Sequence, residues 1–309
     1  MISLVGGLAQ AGLWERIADN ILYQQALAGG MAIALLCGLL SVFVVLKRMS
    51  FIGQGISHAA FGGVGVALLA EVYIAMHWPH VTSSADWPQQ AVLLRDAVVA
   101  VFCIATALVI GMISRRGKVA EDTAIGICLV AAMALGAVLL SAVAQHGTAP
   151  SFESILFGDI YFIGRVDVIV AWSLAIAVLA LVAGLFKELV FMAFDEETAA
   201  VFGVRTRLLY YGLLVALGLA IVVAMKSLGV VLASALLVLP GAAARFWSNR
   251  VGWIVVTSTV FSVAGLVGGL LLVIWRRLIM PPGAVIVLLL TGLFIVSYVV
   301  NGIRCGRSR

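Results

Sequence analysis

Nine runs of about 20 apolar residues follow one another along this chain, and they constrain its fold more than any other feature. They cover approximately residues 20–46, 57–76, 96–114, 124–144, 167–186, 208–225, 229–245, 252–274 and 283–302. A helix needs roughly 20 apolar residues to cross a bilayer. With 64% hydrophobic and 11% charged residues, the chain has too few polar groups to cover a water-soluble surface. The sequence therefore predicts one all-α transmembrane domain over residues 1–309, a polytopic helix bundle.

The number of spans depends on a short polar interruption. Only the residues KSLG, 226–229, separate the sixth run from the seventh. If these two runs form one long bent helix, the bundle has eight spans; if they are separate, it has nine. We favour nine.

The distribution of basic residues predicts the orientation. Cytoplasmic loops of membrane proteins are enriched in Lys and Arg. With nine spans, 13 of the 19 basic residues lie on the side that carries the carboxyl terminus. The other six are Arg16, Arg95, Arg165, Lys226, Arg276 and Arg277. We therefore expect the amino terminus outside and the carboxyl terminus in the cytoplasm, with the net charge of +5 facing anionic lipid and no nucleic acid as partner.

The first 19 residues do not resemble a cleavable signal peptide. They lack a basic start and a small-residue cleavage site. The segment LWERIADN mixes charged and apolar residues and is typical of a surface helix. Residues 1–19 are thus predicted to be an amphipathic lead-in on the outer surface.

Ionisable residues are rare inside the predicted spans. Glu71 and Asp96 lie near outer ends, and His58 is the one titratable side chain placed clearly within or at the edge of a span. Ion-coupled carriers keep such groups in the membrane as relays. No nucleotide-binding loop occurs either, since GMISRRGK departs from the P-loop pattern in spacing and in Val119. If the chain belongs to a pump, the ATPase is a separate subunit.

The loop over residues 187–207 is long, lies on the basic side, and mixes charged with apolar residues at helical spacing. Asp195 is suited to cap a short helix and Gly203 to end it. Such a helix suits docking of a soluble partner, although a helix lying on the membrane surface would show the same pattern. We interpret residues 187–207 as a cytoplasmic coupling segment.

Five segments in order resemble one family. They are SFIGQGISHAAFGGVGVAL, KVAEDTAIGI, SILFGDI, FDEETAAVFGVRTRLLYYGLL and LGVVLASALLVLPGAAARFW. Together they are similar to the permease subunit of bacterial ABC importers for zinc, manganese or iron. The resemblance runs from about residue 20 to residue 300.

The resemblance implies a type II ABC importer fold in the bacterial inner membrane. It implies two permease copies, two cytoplasmic ATPase subunits and a periplasmic or extracellular metal-binding protein. No permanently bound cofactor is implied, since the divalent metal ion is cargo. By analogy, the residues touching the ATPase are Asp195, Glu196, Ala199, Ala200 and Gly203.

His58 is the leading candidate for contact with the metal. A bare divalent ion cannot cross hydrocarbon, so protein groups must replace its water. His58 can act as a transient ligand, with Gln54 and Ser57 as weak partners. Backbone carbonyls freed where the glycines loosen the helix start are further weak partners, near Gly53, Gly55, Gly62 and Gly63. Many family members carry aspartate where this chain has Gln54, which supplies no negative charge. Alternatively, His58 bonds to a neighbouring helix and the glycines only allow close packing.

Other polar positions carry weaker expectations. His77 and His80, in HWPH of an outer loop, are candidates for receiving metal from a binding protein. Glu121 and Asp122 open the fourth span, where they are expected to cap the helix or take part in gating. Pro240 is expected to mark a hinge or gate.

Two further functions are open at this stage. One is a permease for metal chelates of the haem or siderophore type. The other is an ion-coupled secondary carrier, which would need a coupling residue within the membrane.

Overall fold

The fold is helical throughout the part of the chain that the computed structural model describes: residues 18–82, 87–115, 119–145, 158, 160–276 and 280–306. Eight segments there are long and apolar enough to cross a membrane, and no strand occurs among these residues. The predicted all-α polytopic bundle is confirmed. The expected lead-in over residues 1–19 lies almost entirely outside the described residues.

The helices are numbered here in chain order. They are α1 (Ile21–Leu46), α2 (Ile52–His77), α3 (Pro79–Thr82), α4 (Trp87–Arg115), α5 (Glu121–Ala144), α6 (Arg165–Gly184), α7 (Phe186–Phe194), α8 (Glu196–Val201), α9 (Thr206–Leu236), α10 (Leu239–Ala244), α11 (Val251–Arg276) and α12 (Pro282–Gly306), with a 3-10 turn (Ile160–Phe162) before α6.

Helix α1 forms the centre of the bundle, because 78% of the residues in its most apolar 18-residue stretch are buried. It packs closely against α11 because small residues face each other, and a Cβ added to Gly38 would lie 2.7 Å from the Cβ of Ser262. The Ser258 hydroxyl donates to the Gly38 carbonyl and the Ser262 hydroxyl to the Ala34 carbonyl, each at 2.7 Å. These bonds satisfy two buried hydroxyls and fix α11 antiparallel to α1.

The segment Thr206–Ala244 crosses the bundle twice. Its backbone turns at Gly229, where φ is +81° and ψ is 166°. Before this turn, Lys226 reaches Asp96 and Asp167 near the starts of α4 and α6; after it, the Gly241 amide donates to the Ser41 hydroxyl near the end of α1, at 2.8 Å. The two halves therefore run in opposite directions.

The antiparallel contact of α1 with α11 supports the same count. Were Thr206–Ala244 a single pass, α11 would be the seventh span and would run parallel to α1. With two passes it is the eighth and runs antiparallel, as the hydrogen bonds of Ser258 and Ser262 require. The directions of the described helices therefore agree with nine passes, the number favoured from the sequence, although Thr206–Ala244 is continuous enough to count as one of eight membrane-length segments.

Ion pairs tie the helices together at the end of the bundle that we call outer. The Lys226 ammonium lies 2.5 Å from Asp96 Oδ2 and 2.8 Å from Asp167 Oδ1. Arg95 binds Glu71 through two hydrogen bonds of 3.0 and 2.8 Å. These five charged residues are therefore paired between helices.

The orientation itself remains a prediction, and labelling can test it. We expect a His80→Cys variant to react with a membrane-impermeant maleimide on intact cells. An Ala200→Cys variant should react only after lysis, because α8 lies at the opposite end. Both variants carry serine in place of Cys128 and Cys305, and the remaining native Cys37 and Cys103 are fully buried and give little background. Reaction of residue 200 alone on intact cells would invert the assigned topology.

Candidate metal path and coupling segment

Helix α2 carries Gln54, Ser57 and His58 within its first two turns. Gln54 and His58 are four residues apart, so they lie on the same face of the helix. The Gln54 side chain is exposed on the single chain, and His58 is half-buried. The two side chains together form a polar strip on the surface of the bundle.

This strip lies within the depth of a bilayer. The Cys103 thiol of α4 contacts the Ile56 carbonyl at 3.8 Å. Cys103 precedes the inner end of α4 at Arg115 by twelve residues, which corresponds to roughly 18 Å of helix. A hydrocarbon core is about 30 Å thick. His58 therefore lies within the membrane-length part of α2.

Ser57 is the one described residue whose buried side-chain oxygen has no hydrogen-bond partner. Its side chain is fully buried, next to His58 in the sequence. An unsatisfied buried hydroxyl costs about 1–3 kcal/mol. Ser57 thus offers an unused polar atom beside the strip.

The glycines of this segment do not loosen the helix, contrary to expectation. Residues 52–77 form one continuous α-helix, so the carbonyls predicted to be free near Gly53 and Gly62 lie within regular helix. A Cβ on Gly55 would lie 2.6 Å from Ile125, and one on Gly62 would lie 2.8 Å from the Ala132 carbonyl. The glycines allow α2 to pack on α5, which was the alternative interpretation.

His58 forms no hydrogen bond to another described residue, so the proposed ordering bond to a neighbouring helix is absent from this part of the chain. Nor do the described residues contain a group of three or more His, Cys, Asp or Glu side chains suited to hold a metal ion. The strip offers a few neutral donors. Such a set suits brief contact with a cation better than tight binding.

The outer histidines are remote from this strip. His77 ends α2, 19 residues from His58, which is roughly 28 Å along the helix. Its ring stacks on Tyr73 with 4.1 Å between ring centroids, and its Nδ1 lies 3.1 Å from the Tyr73 carbonyl oxygen. His80 lies in α3 and is exposed. The structure does not bring either residue to His58.

At the inner end, the short helix expected from the sequence is α8, Glu196–Val201. Asp195 is its N-cap, accepting bonds from the Thr198 amide at 2.9 Å and the Thr198 hydroxyl at 2.6 Å. These bonds hold the pKa of Asp195 below its usual value. Gly203 follows the helix with φ of +84°, a conformation that favours glycine. Ala199 is buried and Ala200 is exposed.

Glu196 joins α8 to two membrane helices. Its carboxylate lies 2.8 Å from the Lys47 ammonium, just after α1, and 2.6 Å from the Arg115 guanidinium at the end of α4. Partial burial raises the pKa of Glu196, but the hydrogen bonds and positive charges of Lys47 and Arg115 outweigh it and leave the pKa below its ordinary value. The carboxylate is therefore ionised at neutral pH. We call Glu196, Lys47 and Arg115 the Glu196 network.

Tyr210 of α9 lies next to this network. Its hydroxyl donates to Glu121 at 2.8 Å, and its ring lies 5.2 Å from the Arg115 guanidinium and 5.7 Å from the Lys47 ammonium. Four membrane helices thus meet α8 around a cavity of about 490 Å³.

The expected capping by Glu121 and Asp122 is not a side-chain cap. Ala120 is the N-cap of α5, and no side chain bonds to the free amides there. Both carboxylates do lie in the first turn, where the helix dipole favours negative charge. Glu121 is used for the bond from Tyr210 instead.

Pro240 stands at the start of α10, after a break in the helix at Leu237–Val238. Proline is well suited to a first helical turn, where its missing N–H is not needed. The next residue, Gly241, packs on α1 so closely that a Cβ would lie 2.6 Å from the Ser41 carbonyl oxygen. At the position where a hinge was expected, Pro240 follows a break between α9 and α10. A role of Pro240 in gating remains a prediction.

Sequence analysis missed the partners of Glu196. In the sequence, Lys47 and Arg115 contribute only to the bias of basic residues, and Tyr210 lies within an apolar run. One signal was present: a helix-capping Asp followed at once by a glutamate, in a loop facing many basic ends. The sequence does not show which basic residues lie within reach.

Three apolar side chains around α8 are exposed at the inner end. Phe194 is 67% exposed, Val201 86% and Phe202 75%. They flank the exposed Ala200. Exposed apolar groups this close together, outside the spans, are typical of a surface that a partner covers.

Comparison with known proteins agrees with this architecture. The ABC 3 transport family matches residues 19–301. The manganese transport system membrane protein MntC of Halalkalibacterium halodurans is 30% identical over 285 residues, covering 92% of this chain and 89% of the relative. A probable iron transport system membrane protein of Haemophilus influenzae is 28% identical over 284 residues, covering 91% and 94%.

A solved structure, PsaBC from Streptococcus pneumoniae in complex with Fab, superposes with a TM-score of 0.73 at 26% identity. The match covers 93% of this chain and 94% of that one. The family match spans nearly the whole length and includes both the α2 strip and the Glu196 network. This chain therefore belongs to the ABC 3 transport family and is a metal-transport permease of the ABC transporter class.

Proposed function

We propose that the chain is the membrane subunit of an ATP-driven importer for divalent transition metal ions, zinc, manganese or iron, in a bacterial inner membrane. Two copies would form the path, two cytoplasmic ATPase subunits would drive it, and an external binding protein would deliver the metal. The relatives named for manganese and for iron support this class of cargo.

The observation that carries the proposal is the attachment of α8 at the inner end. Its helix is capped by Asp195, joined through Glu196 to α1 and α4, and flanked by exposed Phe194 and Phe202. A partner that binds the apolar groups can therefore move two membrane helices through the Glu196 carboxylate. This is what a separate ATPase needs in order to move the bundle.

The α2 strip supports the use of two copies. Gln54 places an exposed amide on the surface of a single chain, within a helix long and apolar enough to cross a membrane, and hydrocarbon offers such an amide no hydrogen bond. A second copy facing the strip would shield Gln54 and His58 from lipid and enclose a polar path. Ser57 would add a buried oxygen to the same path.

The acidic residues within the spans disfavour a secondary carrier. Glu71 is bound by Arg95, Asp96 and Asp167 by Lys226, and Glu121 by Tyr210. These partners hold each carboxylate in place between two helices, whereas a proton relay must be free to exchange its proton during each cycle. These groups act as ties between helices.

Reconstitution tests the proposal. The chain, its ATPase and its binding protein are placed in proteoliposomes, and uptake of zinc, manganese and iron is measured with ATP and with a non-hydrolysable analogue. Uptake of at least one metal should require ATP hydrolysis. Accumulation by the chain alone under a proton or sodium gradient would contradict it, and uptake of haem or siderophore chelates but not of free ions would favour the chelate alternative.

A further inference from the structure

A second cavity at the inner end lies beside the Glu196 network, with which it shares Arg115. It measures about 540 Å³ and lies between the end of α4 and the start of α9. Five residues line it: Leu108, Met112, Arg115, Arg207 and Tyr211. The cavity therefore combines two apolar and three polar side chains at the level where α4 leaves the membrane.

The lining residues come from two helix faces. Leu108, Met112 and Arg115 follow one another at spacings of four and three on α4, and Arg207 and Tyr211 are four apart on α9, so each set shares a face. Within α4 the apolar pair lies deeper in the membrane than Arg115. The cavity is thus apolar towards the bilayer core and basic towards the cytoplasm.

Gly111 allows α4 and α9 to approach closely beside the cavity. A Cβ on Gly111 would lie 2.5 Å from Leu214, 3.1 Å from Tyr210 and 3.3 Å from a ring carbon of Tyr211. Because glycine has no Cβ, the Tyr211 ring lies directly against α4 at this position. The ring forms a wall between the two helices.

The polar groups of the cavity have hydrogen-bonding capacity left over. Arg207 is exposed and has no ion pair among the described residues, and the Tyr211 hydroxyl has no hydrogen bond there. Arg115 binds Glu196 through Nη1, and a guanidinium carries five N–H donors. Two arginines and a hydroxyl are the groups that bind phosphate oxygens.

We infer that this cavity binds one anionic phospholipid from the inner leaflet. Its phosphate would contact Arg207, Arg115 and Tyr211, and an acyl chain would lie along Met112 and Leu108. The basic groups lie towards the cytoplasm and the apolar groups towards the bilayer core, which matches the anionic headgroup and the acyl chains of such a lipid. A free phosphate ion would satisfy the arginines but leave the apolar half empty.

Native mass spectrometry of the purified, delipidated chain tests this inference. Binding of phosphatidylglycerol, phosphatidylcholine and glycerol phosphate is compared in the wild type, Arg207→Gln and Arg205→Gln. Arg205 is the matched control, because it is exposed two residues away and does not line the cavity. We expect the wild type to bind one phosphatidylglycerol tightly, and phosphatidylcholine and glycerol phosphate at least about fivefold more weakly.

The variants separate a specific site from general attraction. Arg207→Gln should weaken phosphatidylglycerol binding roughly fivefold, the usual effect of one basic residue beside anionic lipid, while Arg205→Gln changes it less than twofold. Arg207→Lys should retain most of the binding and shows that loss is not due to misfolding. Equal losses in Arg205→Gln and Arg207→Gln, or equal binding of phosphatidylcholine, would overturn the inference. So would unchanged lipid binding in Arg207→Gln together with lost binding of the ATPase subunit.

Discussion

Replacing Glu196 with glutamine is expected to lower metal uptake per ATP hydrolysed about tenfold in the reconstituted transporter. Glutamine keeps the size of the side chain but removes the charge that holds Lys47 and Arg115. Hydrogen bonds between charged groups contribute about 1.5–3 kcal/mol, and partial exposure reduces this to about 1–2 kcal/mol. A change of about 1.4 kcal/mol alters an equilibrium tenfold.

The effect arises because the substitution removes the ion pairs of Glu196 with Lys47 and Arg115 but leaves α8, α1 and α4 themselves intact. Without the carboxylate, α8 stays capped by Asp195 and keeps its apolar contacts to the partner. Its attachment to α1 and α4 becomes transient. ATP hydrolysis should therefore continue while transport falls, and the ratio of the two is the quantity to measure.

Glu197→Gln is the matched control. Glu197 occupies the same first turn of α8, is exposed and forms no salt bridge within the described residues, so its loss removes the same charge from the helix N-terminus. Its uptake per ATP should stay within about twofold of wild type. Equal effects of the two variants would show that Glu196 does not transmit the movement.

The pKa of Glu196 gives the sign of the pH dependence. Because this pKa lies below its ordinary value in the folded chain, the stabilisation from the network is present at neutral pH and is lost only as the pH falls through the lowered value. Between about pH 6 and 8, coupling should not change because of this group. The hydrogen exchange of residues 196–203 in the permease alone can follow the same link without the ATPase.

Much of the fold could be predicted because the membrane imposes its own pattern. Runs of apolar residues were enough to predict an all-α bundle of eight or nine spans. The cap at Asp195 and the stop at Gly203 could be predicted because both depend on local backbone bonding. These features need no knowledge of what packs against them.

The remaining features depend on contacts between distant parts of the chain. The glycines of α2 resemble a flexible segment locally, but packing on Ile125 and Ala132 makes them helical. Glu196 pairs with Lys47 across 149 positions, and Tyr210 reaches Glu121 across 89. No local pattern shows such pairs, because several helices must first be placed.

The second large effect is expected at His58. A His58→Gln variant should lower metal uptake at least about tenfold while leaving the protein folded and assembled. The imidazole is a good ligand for borderline metal ions, and an amide is a poor one. Even residues that only orient a metal ligand change affinity 10–100-fold when replaced, so loss of a ligand should have at least the smaller effect.

His77→Gln provides the matched control for His58. It makes the same substitution on the same helix, in a ring that stacks on Tyr73 at the exposed outer end. Uptake should stay within about twofold of wild type if metal enters without touching it. Equal losses in the two variants would locate the metal contact at the outer end as much as at the strip.

Ser57 distinguishes a metal path from a packing site most directly. Its buried hydroxyl has no partner, so Ser57→Ala should raise the free energy of unfolding, by up to about 1–3 kcal/mol, because an unsatisfied group is removed. If the oxygen helps to replace water around the passing ion, the same variant should transport more slowly. A thermal unfolding measurement beside an uptake assay gives both values. Greater stability with unchanged uptake would show that Ser57 takes no part in the path, and together with normal uptake in His58→Gln it would remove the metal path from this face of α2.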